Sequence, residues 1–196
     1  MLESRAQMLE KEKTLVLYES LKQQLNPHFL FNSLTSLSGL IESDQNLAGK
    51  FLDQMSRIYR YLLKNRNSDV VTLKEEIDFV RLYIHIQQTR FKDGLKVSLR
   101  VEDENMYSKI APVTLQNMLE NAIKHNICNP DSPLYIDIYT EQDYIVIKNN
   151  IQRKKVVETS NKQGLQNFKS LYKFISNNPI IVLEEEEFFY VKIPLV

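Results

Sequence analysis

The chain contains few of the residues that mark several common classes of protein. Its single cysteine, Cys128, excludes an internal disulfide and fits a reducing compartment. Its 25 basic residues are balanced by 25 acidic ones, whereas a nucleic-acid-binding protein normally carries a basic excess. No apolar run reaches the ~18 residues that a membrane helix needs, and no signal peptide is visible. The sequence therefore predicts a soluble cytoplasmic chain that does not bind nucleic acid.

Glycine is also scarce, with four residues in a chain of 196, although loops that bind phosphate usually contain several glycines. Hydrophobic residues make up 43% of the chain, which is enough for a packed core and argues against disorder. The pattern of these residues changes along the chain. Residues 1–66 have helical periodicity, whereas residues 67–196 mix helical and strand patterns, so we expect an α+β protein with a boundary in the polar segment 65–69.

The first 66 residues are predicted to form an antiparallel helical hairpin. A polar break at residues 42–46, with Asp44 as a helix cap, separates two helices with apolar stripes. The first stripe is Leu30, Leu34, Leu37 and Ile41, and the second is Leu47, Phe51, Met55, Ile58 and Leu62. Because a lone hairpin buries both stripes poorly, we expect a second copy to complete a four-helix bundle.

The remaining residues, 67–196, predict an α/β sandwich with a mixed sheet of about five strands. Thr72 and Glu75 have the spacing of a capping box, and Pro112 suits the first turn of a later helix. Strands are predicted at residues 97–101, 135–139, 144–148, 180–183 and 188–193, with Glu184 to Glu187 at a hairpin tip. Residues 149–163 are polar and without periodicity, which predicts a mobile loop.

The most informative motif is Leu-Asn-Pro-His-Phe-Leu-Phe-Asn, which runs from Leu25 to Asn32. At ~100° per helical residue, His28 lies roughly 160° from Leu30 and within about 40° of Asn32. His28 and Asn32 would then share a polar face, where a neutral imidazole can act as a nucleophile. The alternative is that His28 is buried with the upstream stripe of Leu17, Leu21 and Leu25, with Pro27 bending the helix between the two stripes.

A second cluster, Asn-Met-Leu-Glu-Asn-Ala-Ile-Lys-His, runs from Asn117 to His125. Asn121 lies inside an apolar helix, where it needs a polar partner, and Mg²⁺ bridging a triphosphate would be a suitable one. Lys124 and His125 lie near enough to meet phosphate or ribose, and Glu120 could position water or metal. Alternatively, Asn121 is a hydrogen-bonding residue of helix packing and its charged neighbours form a solvated face.

Together, these motifs resemble those of LytS/YehU-type sensor histidine kinases of the GHKL ATPase superfamily. The first motif is similar to their phospho-acceptor box, and the segment Leu115 to His125 is similar to their magnesium-nucleotide helix. The segment Gly164 to Asn167 is similar to the end of their second glycine box. The resemblance implies ATP and Mg²⁺ as cofactors, with Asn121 as the metal ligand. It also implies a homodimer that phosphorylates His28 and passes the phosphoryl group to a response regulator aspartate, the LytTR type being one candidate. Many such proteins carry amino-terminal membrane segments, so this chain would be the soluble portion of an inner-membrane protein.

The sequence also departs from the pattern of this family at the glycine boxes. Asn149 occupies the place of an aspartate that accepts a hydrogen bond from the adenine amino group. Ile151 stands where glycine is usual, and Lys162 replaces another glycine. Asn149 can still accept a hydrogen bond through its carbonyl oxygen, and Lys162 can meet phosphate charge. Asn117 stands where hydrolytic relatives carry a water-activating glutamate, which favours transfer to histidine over hydrolysis.

The leading hypothesis is therefore an ATP-dependent histidine kinase with two groups of site residues. The catalytic residues are His28 as acceptor, Asn32 and Glu120; the cofactor-binding residues are Asn117, Asn121, Lys124, His125, Asn149, Lys162, Gly164 and Leu165. The alternative hypothesis is a catalytically weak, pseudokinase-like dimeric interaction module with a degraded ATP site. A metal site formed by the three histidines is disfavoured, because they lie on separate predicted helices without ligand spacing.

Overall fold

A computed structural model of the protein describes residues 27–154 and 163–196. Its first two helices are α1 (Pro27–Ser43) and α2 (Gln45–Lys64). Asp44 caps α2, because its carboxylate accepts a hydrogen bond of 3.0 Å from the amide of Leu47. The predicted hairpin and its cap are thus present from residue 27 onward, and the prediction for residues 1–26, with the upstream leucine stripe, lies outside the described residues.

The two predicted stripes differ in burial. On α2, Phe51, Met55, Ile58 and Leu62 are buried as predicted. Leu47 is not, since it is 41% exposed. The first stripe needs a larger correction, as Leu34 is 48% and Ile41 54% exposed. Within the chain α1 buries Phe29 and Ser33, while Leu30 and Leu37 of the predicted stripe are half-buried against the core and only Leu34 and Ile41 face outward.

The rest of the described chain alternates strands and helices, with two short 3₁₀ turns. The elements are β1 (Val71–Thr72), α3 (Leu73–Phe91), β2 (Leu95–Arg100), β3 (Lys109–Ile110), α4 (Thr114–His125), β4 (Leu134–Glu141), β5 (Tyr144–Asn150), α5 (Gln163–Ile175), β6 (Ile181–Glu184) and β7 (Phe188–Pro194). The turns are Lys92–Gly94 and Asp103–Tyr107. The predicted capping box is confirmed, with Thr72 and Glu75 bonded to each other's amides at the start of α3.

The predicted mixed sheet of five strands is confirmed, in the order β2-β4-β5-β7-β6. The β2–β4 pair is parallel and the other three pairs are antiparallel. Helices α3 and α4 pack against the sheet, and Tyr172 of α5 is buried in the same core. Phe29 of α1 also joins this core, so the hairpin and the sheet share one hydrophobic interior. The chain is therefore an α+β protein, as predicted.

Two predicted boundaries are corrected. Helix α4 begins at Thr114 rather than at Pro112, because Val113 has a left-handed backbone with φ of 66°. The predicted loop begins later than residue 149, because Asn149 and Asn150 still pair with β7. Residues 155–162 of that loop lie outside the described part of the chain.

The described residues contain neither a membrane-spanning helix nor a cluster of metal ligands. None of their helices has both the length and the apolar character that crossing a membrane requires. The same residues contain no group of three or more His, Cys, Asp or Glu side chains arranged to hold a metal ion.

Candidate nucleotide-binding site

A cleft of about 340 Å³ lies between α4 and the strands β5 and β7. Its volume falls in the range of ~300–1,000 Å³ typical of small-molecule sites. The lining side chains are Met118, Asn121, Ala122, His125, Asn126, Ile147, Asn149, Ile151, Arg153, Leu165, Glu184, Phe189 and Val191. The cleft therefore combines an apolar floor with amide, imidazole and charged groups, which suits a ligand with both a flat apolar part and polar substituents.

Four of the predicted site residues meet at this cleft, although they come from three separate segments. They are Asn121 and His125 on α4, Asn149 on β5 and Leu165 on α5. Asn121 and His125 are four residues apart and so share one face of α4. Two other predicted residues of α4, Asn117 and Lys124, do not line the described cleft. Lys124 is exposed and Asn117 is half-buried.

The Asn149 side chain is 4% exposed and its orientation is determined by one hydrogen bond. Its amide nitrogen donates to the backbone oxygen of Asn150 at 2.7 Å. Because a backbone carbonyl can only accept, this bond distinguishes the nitrogen end of the amide from the oxygen end. The other end of the amide is therefore a carbonyl oxygen, an acceptor without full charge, on a residue that lines the cleft.

The segment after β5 is held along the carboxyl end of α4. The Asn126 side chain donates to the oxygen of Ala122 at 2.9 Å and accepts from the amide of Gln152 at 2.7 Å. Lys154 adds two bonds, from its amide to the oxygen of His125 at 3.1 Å and from its ammonium to the oxygen of Ile123 at 2.9 Å. These donors satisfy the last carbonyls of α4 and place a cation at the negative end of the helix dipole.

The electrostatics at this end of the cleft favour a neutral imidazole beside several cations. The pKa of His125 is lowered chiefly by burial, and further by the charges of Lys124, Arg153 and Lys154. His125 is therefore neutral near pH 7 and offers a hydrogen bond rather than a charge. Arg153 is paired with Glu184 across the cleft.

Several cleft residues were not identified from the sequence. Arg153 and Glu184 lie 31 residues apart along the chain, so their pairing required the fold. Ile147 and Val191 could have been inferred from strand alternation. Ile147 shares a strand face with Asn149, and Val191 is its direct partner on β7.

Glu120 lies on a different side of α4 from the cleft. Its carboxylate accepts a hydrogen bond of 3.0 Å from the hydroxyl of Tyr83, which in turn accepts one of 2.7 Å from Gln87. The ring of Tyr83 also contacts the ring of Phe29, with centroids 5.0 Å apart. Tyr83 therefore connects the residue after His28 to the residue before Asn121, so α1 and α4 are joined through α3.

The remaining predicted site residues are described only in part. The backbone at His28 belongs to α1, but its side chain lies outside the description, and Asn32 is half-buried one turn later. Gly164 lies in the first turn of α5, and Lys162 lies outside the described residues.

The known proteins to which this chain is similar are histidine kinases. Residues 17–95 match the family described as "Histidine kinase". The sensor histidine kinase/phosphatase LytS of Staphylococcus aureus strain MRSA252 is 30% identical over 147 residues, which are 75% of this chain and 24% of that protein. The sensor histidine kinase BtsS of Escherichia coli strain K12 is 36% identical over 119 residues, which are 59% of this chain and 21% of that protein.

Among solved structures, the cytoplasmic segment of the histidine kinase QseC gives a TM-score of 0.48 with 18% identity over 77% of this chain and 93% of that one. The chain spans about a fifth to a quarter of the length of the curated relatives it matches. The sequence matches confirm the resemblance to sensor histidine kinases that the two motifs predicted.

Proposed function

We propose that this member of the histidine kinase family transfers the γ-phosphoryl group of Mg-ATP to His28 and then to an aspartate of a response regulator. The observation that carries the proposal is the cleft in which Asn121 and Asn149 meet. The amide of Asn121 on α4 suits a metal-bound phosphate. The amide of Asn149 on β5 suits a purine.

The residues of the cleft fit ATP and magnesium. The carbonyl oxygen of Asn149 can accept a hydrogen bond from the adenine amino group, while Met118 and Ile147 offer apolar contact to the ring. The oxygen of Asn121 is a hard ligand of the kind that Mg²⁺ prefers. When bound, the metal would supply neutralisation of phosphate charge during the transfer. Asn117, Lys124 and Lys162 are proposed to contact the phosphates.

The transfer requires a nucleophile on the hairpin and a group that accepts its proton. A lone pair of the His28 imidazole attacks the γ-phosphorus, the bond to the bridging oxygen of ADP breaks, and the ring then gives up its N–H proton. Asn32 would orient the imidazole or a water molecule from one turn away. Glu120 lies close to α1 through Tyr83 and Phe29, so its proposed role is to accept the proton or to hold His28 in place.

The proposed division of labour places residues 1–66 in dimerisation and phosphoryl acceptance and residues 67–196 in ATP binding. The hairpin exposes large apolar side chains on both helices, and a second copy of the chain would cover them to form a four-helix bundle. The most exposed are Phe31 at 68%, Ile41 at 54%, Leu52 at 53% and Leu63 at 65%. The response regulator would bind beside this bundle, and the LytTR type remains a candidate. In the cell, the chain would be the cytoplasmic part of an inner-membrane sensor.

Incubation with γ-labelled ATP and magnesium tests the phosphoryl transfer. We expect label that is lost in acid, as phosphohistidine requires, and that is absent from the His28→Ala variant. His85→Ala is the matched control, because His85 is an exposed histidine on α3 outside the cleft. Label that survives His28→Ala, or that is stable in acid, would refute the proposed acceptor.

The alternative function is a dimeric interaction module that binds ATP poorly. The uncharged Asn149 and the bulky side chain of Ile151, both in the lining of the cleft, favour it. Titration calorimetry with Mg-ATP separates the two functions. A micromolar dissociation constant eliminates the inert module, whereas no detectable heat at millimolar nucleotide, in a folded protein, would favour it over the kinase.

A further inference from the structure

Glu76 is a carboxylate on α3 that is completely buried, with 0% of its surface exposed. It accepts three hydrogen bonds from two other helices and their flanking residues. The hydroxyl of Tyr61 on α2 donates at 2.7 Å, the amide of Val113 at 3.0 Å, and the amide of Leu115 at 2.9 Å. One side chain thus joins α2, α3 and the start of α4.

This arrangement replaces a local cap at the start of α4. Val113 stands at the N-cap position but has no side-chain hydrogen bond to the helix. The first amides of a helix need acceptors, and the positive end of the helix dipole favours an anion there. Glu76 supplies the acceptors for the amides of Val113 and Leu115 from 37 and 39 residues earlier in the chain. The position of α4 at this end is therefore determined by α3 rather than by its own sequence.

The contact with Tyr61 extends the connection to the hairpin. The Tyr61 ring is stacked on Phe79 of α3, with centroids 4.2 Å apart and planes 12° apart. The stacking fixes the ring, and the hydroxyl then reaches Glu76. Because a buried carboxylate is costly unless its oxygens are hydrogen-bonded, moving α2 away from Glu76 would be penalised.

We propose that Tyr61 and Glu76 are positioning residues for the phosphoryl transfer, which hold the nucleotide helix α4 at a set orientation to the hairpin that carries the acceptor histidine. This inference rests on the proposed function. Asn121 lies six residues after Leu115 along α4, or about 9 Å at 1.5 Å per residue. A change in tilt at the start of α4 therefore displaces the metal-binding amide relative to α1. A displacement of about 1 Å can slow a transfer reaction ~100-fold.

The Tyr61→Phe variant separates positioning from nucleotide binding. It removes the hydroxyl and keeps the ring on Phe79, and it leaves both amide bonds of Glu76 to α4. We expect an Mg-ATP dissociation constant within about twofold of wild type, and a single-turnover rate of His28 labelling at saturating ATP that is lower by about ten- to a hundredfold. Glu76→Gln also disturbs the amides of α4, so it should weaken ATP binding as well as slow the transfer.

Tyr59→Phe is the matched control. Tyr59 is a half-buried tyrosine on the same helix whose hydroxyl has no hydrogen-bond partner in the part of the chain that the structure describes. Both its labelling rate and its ATP affinity should match wild type. Melting curves of the three variants establish that each is folded before its rate is measured.

The results that would overturn the proposal are distinct from those that would overturn the proposed function. Wild-type protein that binds ATP but acquires no label contradicts the function and, with it, the positioning role. Wild-type labelling that Tyr61→Phe leaves unchanged contradicts the positioning role alone. The positioning role is also contradicted if Tyr61→Phe weakens ATP binding by the same factor by which it slows labelling. It is likewise contradicted if Tyr59→Phe slows labelling as much as Tyr61→Phe does.

Discussion

The buried carboxylate of Glu76 predicts an unusual dependence of stability on pH. Burial raises its pKa from the ordinary 4.5 to about 7, although Tyr61 and the amides of Leu115 and Val113 stabilise the charged form. The pKa of the nearby Tyr172 is raised chiefly by burial and, to a smaller extent, by the charge of Glu76. In the unfolded chain, Glu76 loses its proton near pH 4.5, whereas in the folded protein it retains the proton until about pH 7.

The direction in which stability changes with pH follows from this difference in proton binding. Between pH 4.5 and 7 the folded state binds the proton and the unfolded state has released it, so stability falls as the pH rises. Each pH unit is worth about 1.4 kcal/mol, which gives a loss of about 3 kcal/mol over this interval. This contribution is fully present below pH 4.5 and is lost as the pH rises through about 7.

Urea unfolding of wild type and Glu76→Gln at half-unit steps from pH 4.5 to 7.5 measures this contribution. The stability difference between the two proteins should change by about 3 kcal/mol across the interval, with wild type losing more as the pH rises. Glu75→Gln is the control: hydrogen bonding from Lys64 and Thr72 lowers the pKa of Glu75, so its effect is confined to more acid pH. Parallel curves for wild type and Glu76→Gln, or a difference that changes with the opposite sign, would show that folding does not raise the pKa of Glu76.

Three further predictions concern the cleft, the packing of the sandwich and the hairpin. Asn149→Ala should weaken Mg-ATP binding about two- to tenfold in calorimetry, because it removes one neutral hydrogen-bond acceptor, and unchanged affinity would exclude contact with the purine. Gly94→Ala should lower the free energy of unfolding in urea by about 1–3 kcal/mol, since the new Cβ would lie 2.7 Å from the backbone of Asn129. An unchanged free energy of unfolding would contradict that packing. Ile41→Glu should convert the proposed dimer to monomer in sedimentation experiments, because it places a charge on the exposed apolar face of α1; a dimer of unchanged affinity would place the interface elsewhere.

The parts of the fold that could be predicted from the sequence depend on short-range patterns. The capping box of Thr72 and Glu75 spans three residues, and the cap at Asp44 reaches only to Leu47. The strand pairs around the turn after Glu141 follow from alternation over a few residues on each side. Each of these signals is complete within one or two elements, so it does not require knowledge of the tertiary structure.

The parts that could not be predicted depend on contacts between distant segments. Pro112 suggested an earlier start for α4, but Glu76 holds the amides at Val113 and Leu115 and so determines where the helix begins. The periodicity of α1 showed that it has an apolar stripe but not that Ile41, on that stripe, would remain outside the core of the chain.

The candidate site divides in the same way. The motif on α4 identified Asn121 and His125 from one helix, and the likeness to a family added Asn149 and Leu165. Arg153 and its ion pair across the cleft came only from the path of the chain after β5.

Phosphorus-31 NMR of the protein after incubation with Mg-ATP, combined with peptide mapping of the product, shows directly whether His28 receives the phosphoryl group. We expect one phosphoramidate resonance that disappears in acid and a phosphoryl group on the peptide that contains His28. A phosphate ester on serine or threonine, or a phosphoramidate mapped to His85 or His125, would contradict it.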